Sequence, residues 1–260
     1  MRYTTDLSDA EWQCIHYCFP KPSKIGRPRE HRYRELLNAI FYGVRTSCQW
    51  RNLLKDFAPW QTVYHYFRRW QRAGLLEAIH THLREGVRLR AQRKRQPTAA
   101  IIDSQSVKSS ETSGECGYDA GKKIKGRKRH LLVDTLGLVL CVLILPAHIQ
   151  DRDGGRQLIN DFFKRPFARR VKHVWADGGY TGALVSWVLQ RWACIVEVVK
   201  RSDAHTFRVL PRRWVVERTF GWLGRYRRLS RDYERQAHTG ETMVYLAMIR
   251  LMLTRLAKSK

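Results

Sequence analysis

Acidic residues are scarce in this chain. Against 49 Lys and Arg stand 23 Asp and Glu in 260 residues, a formal net charge of +26, which disfavours a cationic partner and predicts an anionic one. Long apolar runs are also missing. The most extended, Leu136–Ile149, is too short to span a bilayer and contains Pro146. Asp6, Asp9 and Glu11 stand where a signal peptide needs an apolar centre. A soluble, non-exported protein with no membrane partner is therefore expected. The six cysteines (14, 18, 48, 116, 141 and 194) follow no framework spacing, which argues against a disulfide scaffold and reads as reduced cytosolic thiols. There is no internal repeat and no low-complexity segment. Gly117-Tyr118-Asp119-Ala120-Gly121-Lys122-Lys123 is glycine-rich and basic but lacks the spacing and the Ser/Thr of a P-loop, which argues against nucleotide hydrolysis. What is plentiful is core material, 43% hydrophobic residues with 9 Trp, 11 Tyr and 9 Phe, and wholesale disorder is excluded.

The positive residues recur in separate blocks, Arg84–Arg95, Lys122–Arg129 and Arg212–Arg235, a distribution suited to a polyanion crossing several surfaces. Residues 1–96 carry helical patterns only. Ser8 or Asp6 can cap a helix with Trp12, Ile15 and Phe19, and a second follows Pro28 with Tyr33, Leu36, Leu37, Ile40, Phe41 and Val44 on one face. Gln49–Phe57 and Trp60–Trp70, about the break Ala58-Pro59, suggest a helix-turn-helix whose second helix offers Tyr64, His65, Arg68 and Arg69 to DNA. From residue 97 the pattern changes to β-β-β-α-β-α-β-α. Apolar runs end at Asp103 and Asp177, a hairpin turns at Leu136-Gly137, and a long helix is predicted over Arg212–Leu229. The basic stretch containing Lys122, Lys123, Lys125, Arg127 and Lys128 reads as a loop gripping DNA phosphates.

Functional residues of an open α/β sheet gather at the carboxyl ends of its strands. If the strands ending at Asp103 and Asp177 are parallel neighbours, their carboxylates converge. On the predicted long helix, Glu217 shares a face with Arg213, Gly221, Gly224 and Arg228, opposite Val215, Trp222 and Tyr226. Each glycine costs about 1 kcal/mol inside a helix, so a close approach of a phosphate backbone would give it a purpose. Three carboxylates from two strand ends and a helix suit two Mg²⁺ ions, which take oxygen donors.

Four segments, Ile102-Asp103-Ser104-Gln105-Ser106-Val107-Lys108, Gly117 to His130, Trp175-Ala176-Asp177-Gly178-Gly179-Tyr180 and Arg213-Trp214-Val215-Val216-Glu217-Arg218-Thr219-Phe220, resemble in order the landmarks of bacterial insertion-sequence transposases of the DDE superfamily, insertion-sequence-five group. The resemblance runs over nearly the whole chain. It implies a small all-helical DNA-binding domain (1–96) followed by an α/β, RNase H-like catalytic domain (97–260). It also implies Mg²⁺-dependent cleavage at transposon ends, with Mn²⁺ able to substitute, and joining of the 3′-hydroxyl to target DNA. Asp103, Asp177 and Glu217 match the three acidic positions as catalytic and metal-binding residues. Arg213 matches the arginine of the signature around the glutamate, but Leu210 stands at its tyrosine and Gly224 at its lysine, leaving the basic role between Arg225 and Arg228. Double-stranded DNA, a homodimer or larger synaptic assembly, and the bacterial cytoplasm and nucleoid are the implied partners and setting. Two rival readings are a DNA-binding regulator with an inactive nuclease fold and an RNase H-like nuclease without strand transfer.

Overall fold

The computed structural model describes residues 3–21, 29–199 and 214–258, and its sheet is organised by one ten-residue strand, β1 (Ala99–Lys108). After the short strand β2 (Gly117–Asp119) comes β3 (Ile124–Asp134), antiparallel to β1 from Ala100 opposite Asp134 to Lys108 opposite Gly126. β4 (Val139–Pro146) and β2 occupy the other edge of β3 in succession. β5 (His173–Ala176) lies parallel to β1 over residues 99–101 only, and β6 (Ile195–Val198) is parallel to β5. Two crossover helices make the parallel connections: α5 (Asp151–Phe163) leads from β4 to β5, and α6 (Ala183–Trp192) from β5 to β6. Their apolar faces and one sheet face enclose a core that includes Ile102, Leu132, Leu158, Phe162, Val174 and Val188. α7 (Trp214–Leu223) packs against β1 and β3 with Val215, Val216, Thr219 and Leu223 buried. This is the RNase H-like mixed sheet with flanking helices that the sequence leads one to expect.

The remaining helices are α1 (Asp9–Gln13), α2 (Tyr33–Thr46), α3 (Trp60–Arg72), α4 (Leu75–Arg90) and α8 (Ala237–Ala257). Ser8 caps α1 in a capping box with Glu11. The chain divides into two compact units: one is Met1–Arg93 with Arg225–Leu229 and Thr242–Lys260, the other Lys94–Gly224 with Ser230–Glu241. The helical unit is thus larger than residues 1–96. Arg250 pairs with Glu11, Arg90 donates to the carbonyls of Arg255 (2.9 Å) and Leu256 (2.6 Å), and Arg228 donates to the Cys48 carbonyl (2.9 Å).

Three expected helices are shorter in the structure. The one expected through Trp12, Ile15 and Phe19 ends as an α-helix at Gln13, and a separate 3-10 turn, His16–Cys18, follows before Phe19 turns extended. Gln49–Phe57 holds only a 3-10 turn, Trp50–Asn52, because the eleven residues between left-handed Ser47 and Pro59 leave too little length to propagate an α-helix. The helix expected over Arg212–Leu229 ends at Leu223, where Gly221 and Gly224 weaken it, and a separate 3-10 turn covers Arg227–Leu229.

Candidate active site

The β1–β5 register fixes the first two carboxylates. Ala99 pairs with His173 and Ile101 with Trp175, an offset of 173 − 99 = 74, so Asp103 stands level with Asp177 (103 + 74 = 177) where the two strands part. Alternation puts Ala100, Ile102, Val174 and Ala176 on the core face and turns Asp103 and Asp177 to the opposite one. Asp103 is therefore at the end of its parallel pairing yet in the middle of its strand, since β1 continues along β3 to Lys108. Both aspartates are half-buried. Asp103 Oδ1 accepts from Ser104 N–H (2.7 Å), and Asp177 caps a 3-10 turn, Gly178–Tyr180, by accepting from Gly179 N–H (2.9 Å).

That turn folds Tyr180 back beneath the site. Its side chain is fully buried, and burial together with the charges of Asp103, Asp151 and Asp177 pushes the phenol pKa up. A Cβ on Gly179 would lie 3.1 Å from Asp177 Oδ1 and 3.5 Å from Asp151 Oδ2, so Asp151, at the start of α5, borders the same space. Asp151 is held by Ser104 Oγ (2.7 Å) and Lys128 Nζ (3.0 Å); burial raises its pKa, but these bonds and the lysine charge outweigh that and lower it. Lys128 also reaches Asp119 (3.5 Å), which Ser106 bonds in turn (2.5 Å). His130, opposite Ser104 on β3, is fully buried with neither ring nitrogen bonded, and burial drives its pKa down to about 4. Glycines make room for these rings inside α5. A Cβ on Gly154 would come within 2.3 Å of His130, and one on Gly155 within 2.6 Å of Tyr180.

Glu217 is exposed on α7, on the same exposed face as Gly221 and Gly224 and opposite buried Val215, Val216, Thr219 and Leu223. The register thus sets Asp103 level with Asp177, both of them and Asp151 act on Tyr180, and Glu217 stands on the helix packed against β1 and β3. Among the described residues no three His, Cys, Asp or Glu side chains form a group that could hold a metal ion. The aspartate pair supplies hard oxygen donors of the type Mg²⁺ and Mn²⁺ accept, so these residues fit such an ion by donor chemistry.

The expected DNA contacts divide. On α3, Tyr64, His65 and Arg69 are exposed and Arg68 is half-buried, while Val63, Phe67 and Trp70 face inward. Lys122, Lys123 and Lys125 are exposed. Arg127 and Lys128 are not surface residues: both lie inside β3, because the strand starts at Ile124 and the basic stretch is not a loop. Arg127 forms a buried pair with Asp232 (3.2 Å) and donates to the Glu234 (2.7 Å) and Arg235 (2.9 Å) carbonyls. Arg228 is buried in the helical unit with its guanidinium over Trp50, so neither it nor exposed Arg225 shares the α7 face of Glu217. Arg213 and Leu210 lie outside the described residues. Asp151 reads in the sequence as a turn or helix-cap residue, or as a second acid near the site; His130 and Tyr180 are the side chains that local sequence pattern undervalues. Their signal is the Gly154-Gly155 pair, an expensive choice inside a helix without rings to accommodate.

Two carboxylates thus stand level at the split of an RNase H-like mixed sheet. Residues 94–252 match the family described as "Transposase DDE domain", and the chain belongs to that family. Residues 7–80 match "Putative transposase of IS4/5 family". A curated relative from Burkholderia cepacia, "Putative transposase for insertion sequence element IS402", is 30% identical over 117 residues, spanning 43% of this chain and 56% of the relative. Among solved structures, the Mos1 mariner paired-end complex with Mn is matched at 14% identity over 91% of this chain and 80% of that one, with a TM-score of 0.32. The Mos1 strand transfer complex is matched at 14% identity over 92% and 82%, with a TM-score of 0.26. Among the described residues no helix is long and apolar enough to cross a membrane.

Proposed function

We propose that this protein is the transposase of an insertion sequence. It binds the terminal repeats as duplex DNA, cleaves them by divalent-metal-dependent hydrolysis, and joins the freed 3′-hydroxyl to target DNA. The observation that carries this reading is the level placement of Asp103 and Asp177 on neighbouring parallel strands. In it Asp103, Asp177 and Glu217 are the residues that would hold Mg²⁺, or Mn²⁺ in its place, through carboxylate oxygens. Such ions, when bound, activate an attacking oxygen and stabilise the leaving one. The protein's own part is positional. Asp103 and Asp177 fix the ligand geometry from β1 and the Gly178–Tyr180 turn, while Tyr180 and the Ser104–Asp151–Lys128 bonds hold that edge in place from below. Gly221, where a Cβ would meet nothing within 4 Å, leaves the Glu217 face open to a phosphate backbone. The exposed face of α3 contacts the element end, and two ends need at least two protomers. The setting is the bacterial cytoplasm, at the nucleoid.

Incubating the protein with Mg²⁺, labelled duplexes carrying the ends of its own element, and a plasmid tests the reading. Joined products are expected. Binding without nicks would favour a regulator, and nicks without joining a nuclease.

A further inference from the structure

Along β1 and beyond Asp103, the second unit contains a groove of about 600 Å³ rimmed by Lys108, Lys123, Lys125 and Arg231. All four are exposed, and none has a carboxylate partner among the described residues. The nearby acids Asp119 and Asp232 are committed to Lys128 and Arg127, and Glu111 is the one acid on the rim. Four cations around one concavity repel one another, so this grouping suits a polyanion better than solvent. The walls are preformed. Ser110 N–H and Ser113 Oγ both donate to the Asp232 carbonyl (2.9 and 2.8 Å), Asp232 N–H donates to the Lys108 carbonyl (2.9 Å), and Arg127 ties down the 234–235 backbone from beneath.

Register relates this groove to the carboxylates. Asp103 opposes Leu131, Gln105 opposes Arg129 and Val107 opposes Arg127, so continued alternation sets Lys125 on the sheet face that Asp103 shares. Lys108, whose side chain alternation turns to the other face, marks how far along β1 the groove lies: five residues beyond Asp103 (108 − 103), which at ~3.3 Å per residue is about 17 Å, or about five base pairs at ~3.4 Å each. Resting on the proposed function, we infer that the groove grips the sugar–phosphate backbone of the duplex being cut, about five base pairs from the phosphate at Asp103 and Asp177. The contact is to charge, through lysines and an arginine, and so is independent of base sequence.

The test uses end duplexes of the element in which single phosphates are replaced by neutral methylphosphonates, stepping away from the cut. With the full-length protein, replacement four to six base pairs away is expected to weaken binding about 3- to 10-fold, and replacement at ten to weaken it little. The triple variant Lys108→Gln/Lys123→Gln/Lys125→Gln should bind the unmodified duplex more weakly and with a salt slope shallower by about 2 to 3, and should no longer sense the neutral positions. The Lys→Arg triple variant should retain wild-type behaviour, which separates charge from a folding defect. Wild-type protein that cuts the duplex but is indifferent to all positions from three to seven would overturn the groove alone. Wild-type protein that neither binds nor cuts would overturn the proposed function and the groove with it.

Discussion

His130 sits in the core with both ring nitrogens unbonded, so it folds neutral and resists protonation down to about pH 4. In the unfolded chain an imidazole takes up its proton near pH 6.5. Between those values the unfolded state binds more protons, so stability falls as the pH drops, by about 2 kcal/mol from pH 7 to pH 5. Urea unfolding at the two pH values should show this loss in the wild type and little of it in His130→Leu; equal slopes would remove His130 as its source. Lys128 supplies the complementary case. Removing its charge as Lys128→Met strands Asp119 and Asp151 without their buried counter-ion, and about 3 to 5 kcal/mol of stability should go with it. Lys125→Met, three residues earlier on the same strand but exposed, should stay within about 0.5 kcal/mol by the same measurement.

Among the elements, α3 pairs a buried stripe of Val63, Phe67 and Trp70 with an outward face of Gln61, Tyr64, His65, Arg69 and Arg72. If Arg69 contacts a phosphate of the element end, Arg69→Ala should lower affinity equally for terminal and scrambled duplexes and reduce the salt slope by about 1. Loss confined to the terminal duplex in gel shifts would mark it instead as a base-reading residue. This helix was legible in the sequence because its apolar spacing is local. So were the ends of β5 and of the β1–β5 pairing, each an apolar run closed by an aspartate. The start of β3 was not legible. Lys125, Arg127 and Lys128 look like a solvated loop until Asp232, more than 100 residues on, pairs with Arg127, and Asp151, on the following helix, pairs with Lys128. The ends of α7 and of the Gln49–Phe57 segment were missed for a different reason: apolar spacing persists where glycine, proline and a left-handed residue already limit the helix. At the candidate site the aspartate pair could be read from strand ends, whereas Tyr180 joins it only through a turn and Asp151 only through the first residue of α5.

For the whole molecule, the return of the C-terminal chain to the helical unit has a direct consequence. Residues 1–96 alone lack Arg228 over Trp50, Tyr245 against His80 (4.8 Å between rings), Thr242 bonded to Gln71 (2.7 Å), and the Arg250–Glu11 pair. A 1–96 fragment should therefore show weak near-ultraviolet circular dichroism and fast amide exchange, and adding a 237–258 peptide should restore part of the order; a cooperative, exchange-protected fragment on its own would contradict this. Full-length protein is accordingly the material for the decisive experiment on the carboxylates, single-turnover cleavage and end binding measured in parallel for Asp103→Asn, Asp177→Asn and Glu217→Gln. Each single variant should bind the end duplex within about 3-fold of wild type and lose at least about 10³-fold in cleavage, and a double variant should lose little more, because the groups act as a unit. A folded Asp103→Asn or Asp177→Asn protein that cuts the end duplex at a near wild-type rate would contradict the account.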